Sequence, residues 1–583
     1  MTLYGALLRL DAFTGKYGPL DHPAWARFAT HVVAPLAAHI RPSIVHWPLD
    51  RAPYVGGDPI TYLRFAREMT TFYQPHVREP VFLALIRGAL VLLDQQDAAV
   101  SLASAVGSVL MIVATFLLGR ELVSPIAGLL AAALVAVEYE LIGWSVDGWR
   151  DDVFAAAVVF AAWGLLRLHR RPSFSNGLLA GVTAGIACLT RITALSFVVP
   201  GLAWVAFAGG RSFRRERATS TAIAATIATA LVGPFLLSCA IATGDPFYAI
   251  DYHTSYYRAA EGSTTTHPER AAAYLRERFA ARPVNMIDTG TTGVFVRPFV
   301  TKWSGFHVWL PRLGGVLSWL SVFGLAALPF FTAGRLLLLI LFTSLVPYAF
   351  TWNVGDGGAW RFTMHAYPFY LVAAAFALVG PWSGVATWIA APRSVRRTSA
   401  RRAVMQGLSV AAVVGAGAAI HAVLPWYDVR EDLEHGASVS VAAGPRDGLF
   451  FRSGWSPVHL AGAIPVRVSR TGRATVFFPL PSRRPCTAVL RIDPVDPAAQ
   501  HTVSVLFNSQ LVDTLHPVWD PSRVGSYEVP LPPAWMKSGV NALTLVPDAM
   551  VPARLAGPRF GWIEPSADIG VRLWQVRLVP QER

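Results

Sequence analysis

Residues 54–80 read YVGGDPITYLRFAREMTTFYQPHVREP, a polar and aromatic stretch that precedes a long series of apolar segments. Asp58 followed by Pro59 predicts a helix start, with Asp58 as the N-cap and Pro59 in the first helical position. Three apolar side chains then recur at helical spacing and predict one buried face: Tyr62, Phe65 and Met69. Since the residue before a proline resists helical angles, this helix is predicted to end near Gln74 and Pro75. The stretch therefore predicts a short amphipathic helix ahead of the apolar segments.

The loop after this helix concentrates charged side chains just before the next predicted helix. It carries an imidazole at His76, a guanidinium at Arg78 and a carboxylate at Glu79, and Pro80 begins the helix that follows. That helix is amphipathic and contains an arginine, so it suits a position at a membrane interface better than a crossing. We interpret this region as the floor of an active site and the helices that follow as its wall.

The composition indicates a membrane protein. Of the 583 residues, 53% are hydrophobic and 15% are charged, a charged share well below the usual quarter. The apolar residues form runs close to the roughly 20 residues that cross a bilayer. The net charge of +14 comes from basic residues clustered in short loops between these runs, which is the positive-inside pattern. Nucleic acid is therefore not predicted as a partner.

Three scattered cysteines predict neither a disulfide framework nor a metal cluster: Cys188, Cys239 and Cys486. The sequence contains neither a nucleotide-binding glycine loop nor a zinc-ligand spacing. No cofactor is therefore predicted, and a divalent metal is left open.

Ten apolar runs are predicted as membrane crossings. Their approximate ranges are 98–119, 124–143, 153–168, 177–193, 194–210, 219–242, 313–331, 335–351, 365–385 and 404–425. Alternate loops are rich in arginine and are placed in the cytoplasm. The opposite side then receives five pieces: residues 1–97, 145–152, 244–312, 353–363 and 427–583. The fold class is therefore a multi-pass α-helical membrane protein.

The predicted topology places residues 1–97 outside the cytoplasm, although neither a signal peptide nor a crossing precedes them. The first residues, LYGALLRLDAF, are typical of the end of a helix. We therefore expect that the natural chain begins further upstream, or that residues 1–15 are the end of a first transmembrane helix.

The composition changes after Tyr427 from apolar runs to short alternating segments. Five of these segments are typical of strands: 488–493, 502–507, 526–529, 542–546 and 570–578. Turn residues separate them, which predicts a C-terminal antiparallel β-sandwich. We thus expect an extracytoplasmic segment to residue 97, a transmembrane domain at 98–426 with a long outer loop at 244–312, and an extracytoplasmic β-sandwich at 427–583.

Asp58 is the first candidate for catalysis. A carboxylate that accepts a proton from a hydroxyl has to lie where the substrate arrives, which is here the outer face of the membrane. The alternative is that Asp58 only caps its helix. Both roles can coexist, because one carboxylate oxygen can cap while the other faces the substrate.

The turn Trp149-Arg150-Asp151-Asp152 is the second candidate, since charges held this close to a bilayer are costly unless they are paired or solvated. The planar guanidinium of Arg150 suits a lipid-linked phosphate, and Asp151 or Asp152 would orient it. The alternative is a carboxylate pair at a helix start, with Arg150 reaching towards the interface.

Two further groups are candidates for substrate binding. His76, Arg78 and Glu79 either contact the substrate or begin an interfacial helix with an internal salt bridge. Aromatic and polar side chains in the long outer loop suit sugar faces and headgroups, and they equally suit an interfacial belt. The candidates in that loop are Asp251, His253 and Tyr256.

The last candidate pair enters a predicted crossing from the outer side. Arg361 and His365 lie four residues apart, which predicts one helix face and suits a phosphate leaving group. The alternative is a pair that reaches to the interface from a helix end. Arg191 also lies at a predicted outer helix end and is given less weight.

In this order, the motifs resemble a known superfamily. GGDPxxY at 56–62, YxxHxREP at 73–80, WRDD at 149–152 and GLLAGVTAGIACLTR at 177–191 are similar to bacterial GT-C glycosyltransferases of the protein mannosyltransferase-like and aminoarabinose transferase-like families. The resemblance covers about residues 50–380. The pair of acidic residues that many members carry in the first loop is replaced by Asp58 followed by Pro59, which weakens a metal-site prediction.

The resemblance implies a multi-pass transferase of the bacterial cytoplasmic (inner) membrane that uses a polyprenyl-phosphate-linked sugar on the outer face. Asp58 then matches the acidic residue of the first loop, Arg150 and Asp151 match the second outer turn, and Arg361 matches a basic residue near the donor phosphate. The acceptor would be a glycan, lipid or protein hydroxyl, and the C-terminal domain resembles a carbohydrate-binding jelly roll at the level of fold alone.

Two other classes of protein stay open as alternatives. A transporter or flippase for a lipid-linked saccharide would show internal repeats with broken helices at the bilayer midplane, a pattern that the sequence does not display. A non-catalytic glycan-binding membrane protein would keep the fold and tolerate the loss of Asp58.

Overall fold

The structure of the chain is a computed structural model. It describes residues 1–17, 23–36, 57–208, 214–252, 280, 283–284, 313–351, 363–390, 393–444, 446–461, 464–495, 501–518, 524–556, 560 and 563–581. The chain divides into two compact units: Met1–Glu277 with Thr289–Val414, and Arg278–Asp288 with Gly415–Arg583. The described parts of the first unit are helical, and those of the second are mainly β-sheet.

The helices follow the apolar pattern of the sequence. In chain order they are α1 (Thr2–Tyr17), α2 (Pro23–Phe28), α3 (Asp58–Glu68), α4 (Pro80–Leu92), α5 (Ala99–Leu122), α6 (Pro125–Val137), α7 (Tyr139–Ser145), α8 (Asp151–Arg170), α9 (Phe174–Thr190), α10 (Leu195–Phe207), α11 (Arg214–Thr243), α12 (Leu313–Ala327), α13 (Thr332–Thr351), α14 (Tyr367–Ala390) and α15 (Arg393–Glu434). A π-helical turn at Ala29–Val33 and 3₁₀ turns at Ile192–Ala194, Leu328–Phe330 and Met364–Ala366 lie between them.

Each of the ten predicted crossings coincides with a helix or a helix pair. Among the described residues, five helices are long and apolar enough to cross a membrane, and a sixth span results if α6 and α7, bent by 60°, count as one. The others are shorter apolar helices of 10–17 residues. α1 has 16 residues and packs on α5, α6 and α7, but it is not among the candidate spans. The predicted helical membrane fold is confirmed.

The first helix of the opening stretch differs from the prediction at both ends. Its N-cap is Gly57, and Asp58 is the first helical residue. α3 ends at Glu68 rather than near Gln74, because the Gln74 side chain accepts hydrogen bonds from Thr70 N (2.8 Å) and Thr70 Oγ1 (2.9 Å) and folds the chain into a loop. The predicted apolar face is present, since Tyr62 and Met69 are buried.

Close helix contacts set the position of the turn before α8. α5 and α8 approach so tightly at Gly107 that a Cβ there would lie 2.8 Å from the backbone of Val153. This contact brings Ser104 against the start of α8, where its hydroxyl donates to Trp149 O (2.9 Å) and Asp152 Oδ2 (3.0 Å). The WRDD turn is therefore fixed to α5.

The second unit consists of antiparallel sheets. Its strands are β1 (Val439–Ala442), β2 (His459–Ala461), β3 (Ile464–Val468), β4 (Ala474–Leu480), β5 (Cys486–Pro494), β6 (Val503–Phe507), β7 (Gln510–Leu515), β8 (Gly525–Leu531), β9 (Gly539–Pro547), β10 (Val551–Pro552), β11 (Asp568–Ile569) and β12 (Val571–Pro580). In the described residues one sheet has the order β2-β3-β12-β5-β8, with β1 also paired to β12, and the other has the order β4-β9-β6-β7.

The two larger sheets share one hydrophobic core. Alternate residues of β5 and β12, such as Leu490 opposite Val576, meet alternate residues of β4 and β9, such as Val476 opposite Leu543. The five predicted strands correspond to β5, β6, β8, β9 and β12, and the antiparallel arrangement is confirmed. Whether the domain is a jelly roll, and the predicted domain limits at 97 and 427, stay predictions.

Candidate functional site

The first loop and the WRDD turn pack directly against each other. Gly57 has a φ of 67°, and a Cβ at this position would lie 3.7 Å from the Trp149 ring. Gly148 has a φ of 81°, and its Cβ would lie 3.4 Å from Pro59 Cβ. Both backbones use the left-handed region that favours glycine. Asp58 is therefore placed between two residues that contact the turn leading to Arg150.

Arg78 connects the loop residues electrostatically. Its guanidinium lies 5.7 Å from the centroid of the Tyr62 ring. Burial and the nearby charge of Arg150 lower the pKa of Arg78, while the charges of Glu79 and Asp58 act in the opposite direction. Asp58 of the first loop and Arg150 of the turn thus both interact electrostatically with the guanidinium of Arg78.

His76 supports the position of Arg78. Its Nδ1 accepts a hydrogen bond from Arg78 N at 3.0 Å, and its ring meets the Phe65 ring edge-on at 4.3 Å between centroids. Burial is the largest cause that lowers the pKa of the His76 imidazole, and the charge of the Arg78 guanidinium acts in the same direction. A neutral imidazole is therefore favoured there, as its acceptor role requires.

Glu79 forms a buried ion pair with Arg150, at 2.5 Å between Oε2 and a terminal guanidinium nitrogen. Its other oxygen accepts the Ile192 backbone N–H at 2.8 Å. Arg150 is 5% exposed, so the alternative in which it reaches out to the interface is wrong. This salt bridge runs from the loop to the turn. Arg150 is held by Glu79, not by Asp151 or Asp152 as predicted.

Asp151 forms a second buried ion pair, at 2.9 Å to Arg191. Arg191 also donates to the Tyr348 hydroxyl at 2.8 Å, and that hydroxyl lies 3.3 Å from Thr193 Oγ1. The Arg191 guanidinium stacks 5.0 Å from the centroid of the Phe154 ring. The paired charges of this network therefore join the starts of α4 and α8, the break between α9 and α10, and the end of α13.

His365 lies beside this network. It is 1% exposed, its Nε2 lies 3.2 Å from Ser344 Oγ, and its ring contacts Phe154 and Tyr348 at 5.2 and 5.5 Å between centroids. It belongs to a 3₁₀ turn before α14 rather than to an α-helix, and the helical face that it was predicted to share with Arg361 stays a prediction. The burial of His365 likewise excludes the alternative in which it reaches to an interface.

Asp152 faces away from the loop residues. It is fully buried, accepts from Ser104, and interacts electrostatically with Arg9 of α1. Arg9 itself donates to Ser108 Oγ at 2.7 Å and to the carbonyls of Val135 and Ala136. Asp152 is therefore part of the contact between α1, α5 and α8 rather than a substrate-facing group.

The structure thus brings together most of the predicted site residues that it describes: Asp58, His76, Arg78, Glu79, Arg150, Asp151 and His365. Asp251 is half-buried in a helical segment at 248–252 after α11. The remaining predictions lie outside the described residues: His253, Tyr256 and Arg361.

Two residues of the network were underweighted or missed from the sequence. Arg191 had a usable signal, because an arginine between two apolar runs at a predicted helix end is costly unless paired. Tyr348 had none, since a tyrosine near the end of an apolar run equally suits an interfacial belt. In the described residues, no three His, Cys, Asp or Glu side chains gather as metal ligands.

Residues 74–237 match the family model of the dolichyl-phosphate-mannose-protein mannosyltransferases. The match begins just before His76 and includes the WRDD turn and Arg191. No curated protein matches the chain.

Comparison with solved structures finds matches at low sequence identity and with low TM-scores. An oligosaccharyltransferase of Archaeoglobus fulgidus in complex with Zn and sulfate is 17% identical with a TM-score of 0.38, over 58% of this chain and 46% of that one. ArnT from Cupriavidus metallidurans bound to undecaprenyl phosphate is 13% identical with a TM-score of 0.39, over 69% and 72%. Arabinosyltransferase EmbB from Mycobacterium smegmatis is 14% identical with a TM-score of 0.24, over 90% and 62%. The chain spans about half the length of the oligosaccharyltransferase.

The resemblance to the GT-C glycosyltransferases is confirmed, with residues 74–237 carrying the match to a family model. Glycosyl transfer as a general activity fits this finding, and the candidate spans agree with a membrane location.

Proposed function

We propose that the chain is an inverting membrane glycosyltransferase that moves a sugar from a polyprenyl-phosphate donor to an acceptor hydroxyl. The observation that carries this proposal is the packing of Gly57 and Pro59, on either side of Asp58, against the turn that leads to Arg150. The family match over residues 74–237 supports the same class of reaction.

Asp58 is the proposed general base. Its carboxylate lies in the first turn of α3, one residue after the N-cap Gly57. In the proposed step the oxygen of the acceptor hydroxyl forms a bond to the anomeric carbon of the sugar, while Asp58 accepts the proton of that hydroxyl. The bond between that carbon and the phosphate oxygen breaks, and the phosphate leaves with the electron pair.

The arginines are proposed to act in two ways. Arg78 is half-buried, and the charge of Asp58 acts on its guanidinium. We propose that Arg78 contacts the departing phosphate, since a guanidinium fork suits phosphate oxygens. Arg150, neutralised by Glu79, would position Arg78 and the turn. Arg361 stays a prediction for the same phosphate.

The paired charges would give the site a fixed shape. Two buried ion pairs, Glu79–Arg150 and Asp151–Arg191, hold together the start of α4, the start of α8 and the break between α9 and α10 through charge-assisted hydrogen bonds. A preorganised site does not need to reorganise as charge develops on the leaving phosphate. His365 would orient the network through its contacts with Tyr348 and Phe154.

The remaining assignments are proposals at the level of whole regions. The helical region would lie in a bacterial inner membrane, with the reaction on its outer face. The β-sandwich of residues 427–583 would hold a glycan, lipid or protein acceptor on the same side. Asp251, His253 and Tyr256 would contact sugar from the outer loop.

The test is sugar transfer by purified full-length protein in sealed vesicles, with radiolabelled polyprenyl-phosphate sugars as donors. Asp58→Asn should lower the transfer rate by about 10²- to 10⁴-fold, because general-base assistance is lost. Asp97→Asn is the matched control: Asp97 pairs with Arg67 at an exposed position, and its loss should leave the rate unchanged.

An Asp58→Asn variant with full activity would contradict the assignment of the base. Donor lipid that crosses the bilayer without forming a new glycosidic bond would favour the flippase alternative. Sugar binding without transfer or movement of lipid would favour the glycan-binding alternative.

A further inference from the structure

The end of α8 farthest from Asp151 carries an excess of positive charge. α8 has 20 residues and so spans about 30 Å, which separates this end from the candidate active site by the thickness of a bilayer core. Arginines outnumber acids among the described residues of this end, where α5 and α8 finish and α11 begins. The arginines are Arg120, Arg167, Arg170, Arg171, Arg215 and Arg217, and the acids are Glu121 and Glu216.

Helix packing brings these segments to one place. Arg170 donates to Leu122 O at 3.1 Å, which joins the ends of α5 and α8. α9 packs on α11 so closely that a Cβ at Gly177 would lie 2.6 Å from Ser220 O. The charges of Arg217 and Arg170 both act on the His169 ring, so α11 begins beside the end of α8.

Three side chains at this place hold buried polar atoms that have no protein partner. They are His169 Nδ1, Arg217 Nε and Thr221 Oγ1. His169 is 9% exposed and Thr221 is 7% exposed, so both side chains are more than nine-tenths buried. Arg217 and Thr221 lie four residues apart on α11 and therefore share one face, the face that meets His169.

These atoms are hydrogen-bond donors or can become donors. A guanidinium N–H donates only, a hydroxyl can donate, and an imidazole nitrogen donates when it carries the proton. Buried polar groups without partners are costly and are uncommon in folded proteins. Several arginines lie beside these donors. A ligand that suits the site therefore has a negative charge and several acceptor oxygens, and a phosphate group has both.

We propose that His169, Arg217 and Thr221 form a binding site for the phosphate of an anionic membrane phospholipid. A phosphodiester headgroup is the occupant that a membrane supplies at this depth, because basic pockets between helix ends bind anionic headgroups. The lipid would join the ends of α8 and α11, far from Asp58. The proposal is independent of sugar transfer, since none of these residues belongs to the candidate active site.

The test is native mass spectrometry of full-length protein in detergent, titrated with dioleoyl-phosphatidylglycerol and, as the reference, with zwitterionic dioleoyl-phosphatidylcholine. We expect one phosphatidylglycerol molecule to bind with a clear preference over phosphatidylcholine. Arg217→Gln should weaken the binding of phosphatidylglycerol by about tenfold or more. Thr221→Val, which keeps the side-chain shape, should weaken the same binding by several-fold.

Arg215→Gln is the matched control, because it removes the same charge from an exposed position two residues away. It should change the affinity by less than about twofold. An equal loss in Arg215→Gln, or unchanged binding in both Arg217→Gln and Thr221→Val, would overturn the site and leave only a diffuse charge effect. Displacement of the lipid by millimolar inorganic phosphate would assign the site to free phosphate and overturn the lipid as occupant.

Discussion

The two ends of α8 differ in the balance between positively and negatively charged side chains. At the Asp151 end, the two arginines Arg150 and Arg191 are each matched by a carboxylate at 2.5 to 2.9 Å. At the Arg170 end, arginines outnumber acids, and the ion pair between Arg171 and Glu121 is long, at 3.9 Å. The start of α8 thus carries a network of paired charges, whereas its end carries more arginines than acids.

This difference separates two kinds of function. Matched charges fix the geometry of a site, which suits a reaction centre whose shape has to be ready before the substrate binds. Unmatched donors attract a ligand that supplies the missing acceptors. We therefore propose that chemistry takes place at the Asp151 end and that the Arg170 end binds a phosphate group.

The largest effect is expected when one buried pair is broken. Glu79→Gln leaves Arg150 buried without its counter-charge, which should lower the free energy of unfolding by about 3–5 kcal/mol. The measurement is denaturation of the purified protein in mixed micelles. Asp97→Asn removes a carboxylate from the exposed Arg67 pair and should cost only about 0–1 kcal/mol.

A second substitution sharpens this result. Glu79→Gln combined with Arg150→Met removes both charges, so it should recover part of the loss, and the coupling energy follows from the double-mutant cycle. If Glu79→Gln costs no more than Asp97→Asn, the Asp151 end is not a closed ion-pair network, and the contrast between the two ends fails.

A smaller effect is expected at Tyr348. Tyr348→Phe removes the hydroxyl that accepts from Arg191 at 2.8 Å, and hydrogen bonds to charged groups contribute about 1.5–3 kcal/mol to stability. The same denaturation measurement applies. Tyr427→Phe removes a hydroxyl from a side chain that is 49% exposed and should change little. Equal effects of the two variants would show that the Tyr348 hydroxyl does not hold Arg191.

The smallest effect is a pH dependence at His76. Burial lowers the pKa of His76 in the folded protein below its ordinary value of 6.5. As pH falls through that value, the unfolded chain takes up the proton before the folded chain does, so the free energy of unfolding decreases. His76→Gln should remove this part of the decrease between pH 7.5 and 5.5. An identical pH profile in the wild type and the variant would contradict the burial of a neutral imidazole.

The sequence was sufficient for the helices and the main strands, and it singled out most of the residues that the structure brings together in the candidate site. Apolar runs and alternating segments report burial directly, so the ten helical runs and the strands β5, β6, β8, β9 and β12 were predicted. Motifs at 73–80 and 149–152 also identified Glu79 and Arg150, because charges beside apolar runs are rarely without purpose.

The partners of those residues could not be predicted in the same way. Glu79 pairs with Arg150 across 71 positions and Arg191 with Tyr348 across 157, and such contacts depend on how helices pack rather than on local pattern. The end of α3 was misplaced for a related reason, since the Gln74 side chain closes the loop through Thr70. The sequence pattern favours a helix as far as Gln74, but the hydrogen bonds of the Gln74 side chain form a loop there instead.

The most direct test of the central claim is an experimental structure of the full-length chain with polyprenyl phosphate bound. We predict that its phosphate lies at the Asp151 end of α8, within hydrogen-bond distance of Arg78 and close to Asp58. A polyprenyl phosphate whose phosphate lies instead beside His169 and Arg217, or far from Asp58, would contradict the assignment of the active site.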